Sequence, residues 1–424
     1  MRHRKLLAAA MSAVMVLAGC NADKSADKPA EAVMTGAATS PVVEELTTEA
    51  TTTAASTTTT SATTTMTTTK TTTAPKEPEL PESDFGCFLQ DDGTVYISWY
   101  EGTDKDVIIP EYIGEYPVTS MMLPLKPESH PDKDTKIETV TLPRTITRLQ
   151  FHDYDEYQTI KSYIVDPENE KYTAVDGVLY SKDMTKLVLY PPAKEGEFTV
   201  PESVTEIGGG SFAYADKIST VNIGSNVKTI GYMAFKVSSV SKVNIAEGLE
   251  SIDHWAFLHC LNLTGITLPT SINEIGDSIF VDTPLNTVEL IECGGDIYMK
   301  DGILFKGSRM ITMMHDSTVD TLIIDGHFET DSNAFKGQTG LKEVIITDGS
   351  TLVTTGELDY EFWECGNIRR MYIPASVENC YIGTGSGNVT IYTQPDSWIS
   401  HNTTYECVYV DSYEEYLKVT SENG

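Results

Sequence analysis

Positive charge is scarce in this chain: 30 Lys and Arg stand against 62 Asp and Glu, a formal balance of −32. Three of the basic groups, Arg2, Arg4 and Lys5, lie in the first nineteen residues, and without that segment the balance becomes −35. No basic cluster survives it, which argues against nucleic acid and anionic membrane surfaces as partners. Beyond the first twenty residues no run approaches ~18 apolar positions, so no spanning helix is expected. None of the seven cysteines shows C-x-x-C spacing, which leaves no zinc motif. G-x-S-x-G, H-E-x-x-H and the P-loop are also missing. The chain is therefore read as a non-enzyme with no cofactor and no metal.

What is present begins with an export signal. A basic start, an apolar stretch from Leu6 to Val16, and Leu17-Ala18-Gly19-Cys20 make a secretory leader. Its ending resembles the bacterial lipobox, which implies cleavage before Cys20 and lipid on that cysteine. Such acyl chains hold durably, since each buried methylene adds ~0.8 kcal/mol. Residues 1–19 are then the signal peptide, and 20–84 the lipid anchor and a disordered tether. Between Thr47 and Thr73, eighteen of twenty-seven residues are Thr, too little apolar surface to offset chain entropy. As a flexible coil this tether spans ~40–48 Å. The expected location is the outer face of a bacterial membrane or envelope.

Six cysteines follow Cys20: Cys87, Cys260, Cys293, Cys365, Cys380 and Cys407. An even number in an exported chain permits disulfides. Yet Cys260 and Cys365 each stand three residues after a phenylalanine, a recurring position that suits a small, free, buried thiol.

The strongest signal is a period. Phe212, Phe235, Phe257 and Phe280 recur at intervals of 23, 22 and 23 residues. Ile207, Ile230, Ile252 and Ile275 precede them by five, and Val200, Ile223, Ile245 and Leu268 by twelve. Gly208, Gly231 and Gly276 follow the isoleucines, with Asp253 as the exception. Such columns imply coils stacked like on like, because one coil cannot bury its own apolar face. Tyr154 and Ile160 extend the columns upstream, Phe335 and Phe362 downstream. Around Thr330 and Glu357 no isoleucine column can be placed. Two inserts break the array, near 166–197 and 285–320, and both carry the same text: Asp176-Gly177-Val178-Leu179-Tyr180 and Asp301-Gly302-Ile303-Leu304-Phe305. Each reads as a β-hairpin.

Leu268-Pro269-Thr270-Ser271-Ile272-Asn273-Glu274-Ile275-Gly276 and Ala256-Phe257-Leu258-His259-Cys260 resemble the BspA-like, or Treponema-type, leucine-rich repeat of bacterial surface proteins. Asp91-Asp92-Gly93-Thr94-Val95-Tyr96-Ile97 resembles that family's N-terminal hairpin. The resemblance covers about residues 85–385. It implies a β-rich repeat solenoid, a leucine-rich-repeat horseshoe with parallel strands, short helical turns and β-hairpin inserts. Residues 85–136 would form a hairpin cap and first coil, 137–385 the solenoid, and 386–424 a C-terminal β cap and tail. Proteins of this kind are commonly adhesins or surface receptors.

Remaining candidates are weak. His254 and His259 beside Trp255 read as solvated turn residues, and Gly383 to Gly387 as a cap loop. Asp166 to Glu170 lacks the glycine and glutamate of a calcium loop. Trp99, Trp255, Trp363 and Trp398 could stack on sugars, but packing explains each. One surface remains. Thr141, Thr199, Asn222, Asn244, Thr267, Ile345 and Tyr372 precede the inward aliphatics and would form a row on the exposed sheet face. The row could read an extended protein or polysaccharide, or simply suit solvated strands. Two alternatives stand beside a binding module: a cell-wall or glycan-acting hydrolase using Asp176 and Asp301, and a non-binding envelope spacer.

Overall fold

The computed structural model describes residues 13–15, 32–34, 80, 83–123, 125, 136–151, 159–290, 296–315, 317–331, 333–354, 362, 364–377, 389–403 and 405–422. Cys20, Cys293, Cys380, Tyr154, Trp363, Glu357, the Thr-rich stretch and Gly383 to Gly387 lie outside the described residues. Within the segment read as tether, Ala32–Met34 forms a short strand beside Leu322–Ile324; Ala13–Met15 pairs further along the same strand.

The chain winds as a parallel-strand β-solenoid. One side is a ladder of short parallel strands. Its first group is Asp106–Ile108, Thr139–Leu142 and Ser162–Val165. Gly196–Thr199, Ile218–Ile223 and Lys242–Ile245 form the second, and Gly265–Leu268 with Thr287–Leu290 the third. Val319–Ile324, Glu343–Ile346, Arg370–Tyr372, Thr390–Thr393 and Glu406–Tyr409 complete it. Alternate residues point inward, so Val140, Val221, Val243, Ile266, Val344, Met371 and Ile391 are buried. The prolines at 143, 201, 269 and 374 end strands and open turns: each carbonyl accepts the N–H three residues on, bringing Ile146, Val204, Ile272 and Val377 into the core.

The opposite side is a second ladder of two-residue strands, Glu206–Ile207, Thr229–Ile230, Ser251–Ile252 and Glu274–Ile275. Their isoleucines face one another in register. The glycine after three of them, Gly208, Gly231 and Gly276, sits where stacked backbones touch. A Cβ on Gly231 would sit 2.8 Å from the Gly209 nitrogen, and one on Gly276 2.4 Å from the His254 nitrogen.

The phenylalanines queue along one axis. Ring centroids are 4.8 Å apart for Phe212–Phe235, 5.0 Å for Phe235–Phe257 and 5.6 Å for Phe257–Phe280, all stacked. Tyr190 extends the queue at 5.2 Å from Phe212, and Phe335–Phe362 resumes it at 5.1 Å. Around each ring the backbone makes reverse turns with left-handed residues two before and two after, such as Met233 and Val237, or Trp255 and His259. These turns are stitched across coils: the N–H groups of Phe212, Phe235 and Phe257 donate to the carbonyls of Ala234, Ala256 and Ile279 at 2.7–2.8 Å. The helical turn expected over Gly231 to Phe235 is one i→i+3 hydrogen bond, from Ala234 N–H to Gly231 C=O at 3.1 Å.

Three residues past the ring, a small donor completes the unit. The thiols of Cys260 and Cys365 donate to the carbonyls of Phe235 and Phe335, at 3.0 and 2.9 Å. Ser238, Thr283 and Gln338 do the same for Ala215, Phe257 and Met313. Both cysteines are buried and outside any disulfide, and burial pushes the Cys365 thiol up to about 12. Cys87 and Cys407 are outside any disulfide too.

Both inserts are three-stranded. Tyr172–Val175, Val178–Ser181 and Lys186–Leu189 form the first, Ile297–Lys300, Ile303–Lys306 and Arg309–Met313 the second. Their third strands run parallel to the next coil, at Glu206–Ile207 and at His327–Thr330. At the C-terminus the ladder continues through Glu406–Tyr409 instead of stopping near 385. A helix, Tyr413–Glu422, then folds back on it.

Candidate functional site

The predicted row exists, but only part of it is open. Register places Ile108, Thr141 and Ile164 side by side, then Thr199, Asn222 and Asn244, then Thr267 and Glu289. These residues are exposed or half-buried, with Ile108 70% and Ile164 49% exposed. The polar members bond along the row. Asn222 Nδ2 donates to Thr199 Oγ1 at 3.2 Å, Asn244 Nδ2 to Asn222 Oδ1 at 2.6 Å, and Thr267 Oγ1 to Glu289 Oε2 at 3.2 Å. Each amide keeps hydrogen-bonding capacity toward solvent.

Ile345 and Tyr372 correct the expectation. They occupy the same row, between Ile323 and Tyr392, yet are 3% and 0% exposed. The helix Tyr413–Glu422 lies over them. Tyr416 is fully buried, its ring 5.2 Å from Tyr372 and 5.0 Å from Tyr392, and its hydroxyl donates to Glu343. Asp348 accepts the Tyr413 N–H at 2.9 Å and the Tyr372 hydroxyl. Burial and these carboxylates push both phenols well above the tyrosine range. The missed signal was local. In Ser412-Tyr413-Glu414-Glu415 the Ser412 hydroxyl accepts the Glu415 N–H at 3.3 Å, a capping pattern with tyrosines and Val419 recurring behind it.

The other candidates resolve into structural roles. Asp176 and Asp301 sit at φ 50° and 53°, each followed by a glycine near 80°, in two-residue turns between paired strands. Asn169 is buried and ties its loop to the carbonyls of Pro143 and Ile146 at 2.8 and 2.9 Å, so Asp166 to Glu170 is a structural turn. His254 pairs with Asp253 at 2.7 Å and Asp277 at 3.4 Å, His259 with Asp282 at 3.1 Å. Among the described residues no group of three or more His, Cys, Asp or Glu could hold a metal ion.

A cleft of about 340 Å³ opens beside the second insert, lined by His259, Asp282, His315, Asn333 and Lys336. The same position beside the first insert holds only about 20 Å³, closed by Phe151, Tyr190, Pro192, Ala213 and Tyr214.

Stacked coils with an outward strand ladder, a ring queue and a recurring small donor define a leucine-rich-repeat solenoid. Residues 193–300 match the model of the BspA type leucine rich repeat region in six copies. No curated protein matches the chain. Solved structures similar to it include a leucine rich cell surface protein from Faecalibacterium prausnitzii, 18% identical, covering 81% of this chain and 98% of that one with a TM-score of 0.44. The pneumococcal vaccine antigen PcpA is 18% identical, covering 69% and 68% with a TM-score of 0.33. A leucine-rich repeat protein from Eubacterium ventriosum is 16% identical, covering 70% and 84% with a TM-score of 0.31.

Proposed function

We propose that this chain is a surface-displayed adhesion module whose strand ladder, from Ile108 to Glu289, engages an extended protein or polysaccharide. One observation carries the reading: the same row accepts a helix at its C-terminal end. There Ile323, Ile345, Tyr372 and Tyr392 are packed under Tyr416. The upstream half presents the same geometry with no element of the described chain over it, and it offers paired amides and hydroxyls flanked by exposed isoleucines. A row of this kind reads a ligand that runs along the coil axis. Lipid on Cys20 and the Thr-rich tether would hold the module away from the envelope. No helix among the described residues is long and apolar enough to cross a membrane.

The test is a protein and glycan array probed with the wild-type chain and the double variant Asn222→Arg, Asn244→Arg. Two large cations on the open row should lower binding at least about tenfold, a difference of ~1.4 kcal/mol, while circular dichroism stays unchanged. Hydrolysis of an arrayed glycan would support the hydrolase instead. Silence on every ligand would support the spacer.

A further inference from the structure

We infer that the N-terminal hairpin carries a second binding site, an aromatic platform for a neutral sugar. The strands Phe85–Leu89 and Val95–Tyr100 pair antiparallel, and the register breaks once. Gly86 faces Trp99, but Cys87 faces Ile97, so Ser98 is an extra residue in a bulge. Strict alternation would send Trp99 inward with Ile97. The bulge turns it outward instead, onto the face that already carries Phe88 and Tyr96, while Val95, Ile97 and Tyr100 fill the core.

Gly86 completes the arrangement. A Cβ there would sit 1.8 Å from Trp99 Cε2, so the indole lies directly against the backbone of the neighbouring strand. Phe88, 53% exposed, stands edge-on to it with centroids 5.6 Å apart, and Tyr96 lies 6.5 Å beyond Phe88, nearly parallel. A bulge and a glycine together gather three rings on one face of the hairpin, Phe88 exposed and Tyr96 and Trp99 half-buried.

Polar groups border the platform. Gln90 Oε1 accepts the Ser120 hydroxyl at 3.1 Å and lies 3.0 Å from Thr94 Oγ1, whose single proton it shares with Asp92; its NH2 group makes no hydrogen bond among the described residues. Asp92 uses one carboxylate oxygen for Thr94, at 2.7 and 3.0 Å. Stacking rings, an oriented amide donor and a carboxylate acceptor suit the apolar face and hydroxyls of a pyranose. The charge decides between a sugar and a lipid surface. Asp84, Asp91, Asp92 and Asp104 are exposed around the hairpin, and Arg148 is within electrostatic reach of Asp92. Anionic headgroups are repelled by such a rim, as are acidic polymers. A neutral glycan is not.

This site shares no residue with the ladder row, so either can fail alone. The purified full chain is incubated with peptidoglycan sacculi, insoluble xylan, insoluble mannan and phosphatidylglycerol vesicles, and the bound fraction is measured by sedimentation. Retention is expected on at least one polysaccharide. Trp99→Ala should weaken it about tenfold and Phe88→Ser severalfold, while Trp99→Phe stays within about threefold of wild type. Sacculi against the plant and yeast polysaccharides would tell a wall glycan from an environmental one. Because Phe88 is exposed, Phe88→Ser reports even if Trp99→Ala does not fold. Retention by no polysaccharide, retention indifferent to both substitutions, or binding to the vesicles alone would overturn the proposal.

Discussion

The two inserts carry the same Asp-Gly turn and the same three strands, yet they leave opposite surfaces behind. Equivalent positions follow from register: Tyr190 and Met313 both donate to the residue before the ring, Ser211 and Ala334. From there Pro192 corresponds to His315, Ala213 to Lys336 and Tyr214 to Gly337. In the first insert these are apolar or bulky and close the junction; in the second they are polar or small and leave a cleft. The sheet side differs as well. Lys186 is 42% exposed and pairs with Glu206. Its counterpart Arg309 is 13% exposed and donates to the carbonyls of Ile275 and Gly276, at 2.5 and 3.3 Å, while pairing with Asp277 and with the fully buried Asp331. Asp331 stands where three other coils have Gly208, Gly231 and Gly276, and it accepts the Ser278 N–H at 2.7 Å. The first insert is thus sealed by packing, the second by a buried charge network.

The largest test of that contrast removes the cations. Arg309→Ala should cost about 3–5 kcal/mol, because the buried Asp331 carboxylate loses its pairing with the Arg309 cation and two carbonyls lose a donor. Lys186→Ala should cost under about 1 kcal/mol, as an exposed pair does. Urea unfolding of both variants checks this, and equal losses would erase the distinction. A smaller effect separates the turn glycines. Gly177→Ala and Gly302→Ala both force alanine to φ near 80°, which costs about 1 kcal/mol. At Gly177 the new Cβ would also meet Ser162 Oγ at 2.7 Å and Cα at 3.2 Å, whereas at Gly302 it meets Ser317 Oγ at 3.4 Å and Cβ at 3.8 Å. Gly177→Ala should therefore be the more destabilising of the two in the same experiment.

The sequence made the coils readable because stacking repeats its demands. An aromatic under each turn, an isoleucine in the second ladder and a glycine where backbones touch recur whenever nothing intervenes. Legibility fails where an insert or another element replaces a neighbour. Thr330 occupies the isoleucine column and is buried, so apolar patterning skipped it. Asp331 fills the glycine place, and there its carboxylate accepts the Ser278 N–H and pairs with Arg309 from the insert. Ile345 and Tyr372 kept the spacing of the exposed row, but spacing along a strand cannot say that residues 413–422 return to cover it. The bulge at Ser98 is equally silent in composition: one extra residue turns Trp99 from the core to the half-buried outer face of the hairpin. The spacing of Cys260 and Cys365 marks them as small core groups, while the carbonyl each serves lies one coil away.

Everything rests on coils joined to their neighbours through the turn backbone, and amide hydrogen exchange probes that junction most directly. The N–H groups of Phe212, Phe235 and Phe257 are given to the next coil, so their exchange should be among the slowest in the chain and should require opening of the array. Exchange at those three amides as fast as at the exposed hairpin turn around Asp92 would mean that each turn stands alone, and the stacked architecture would be wrong.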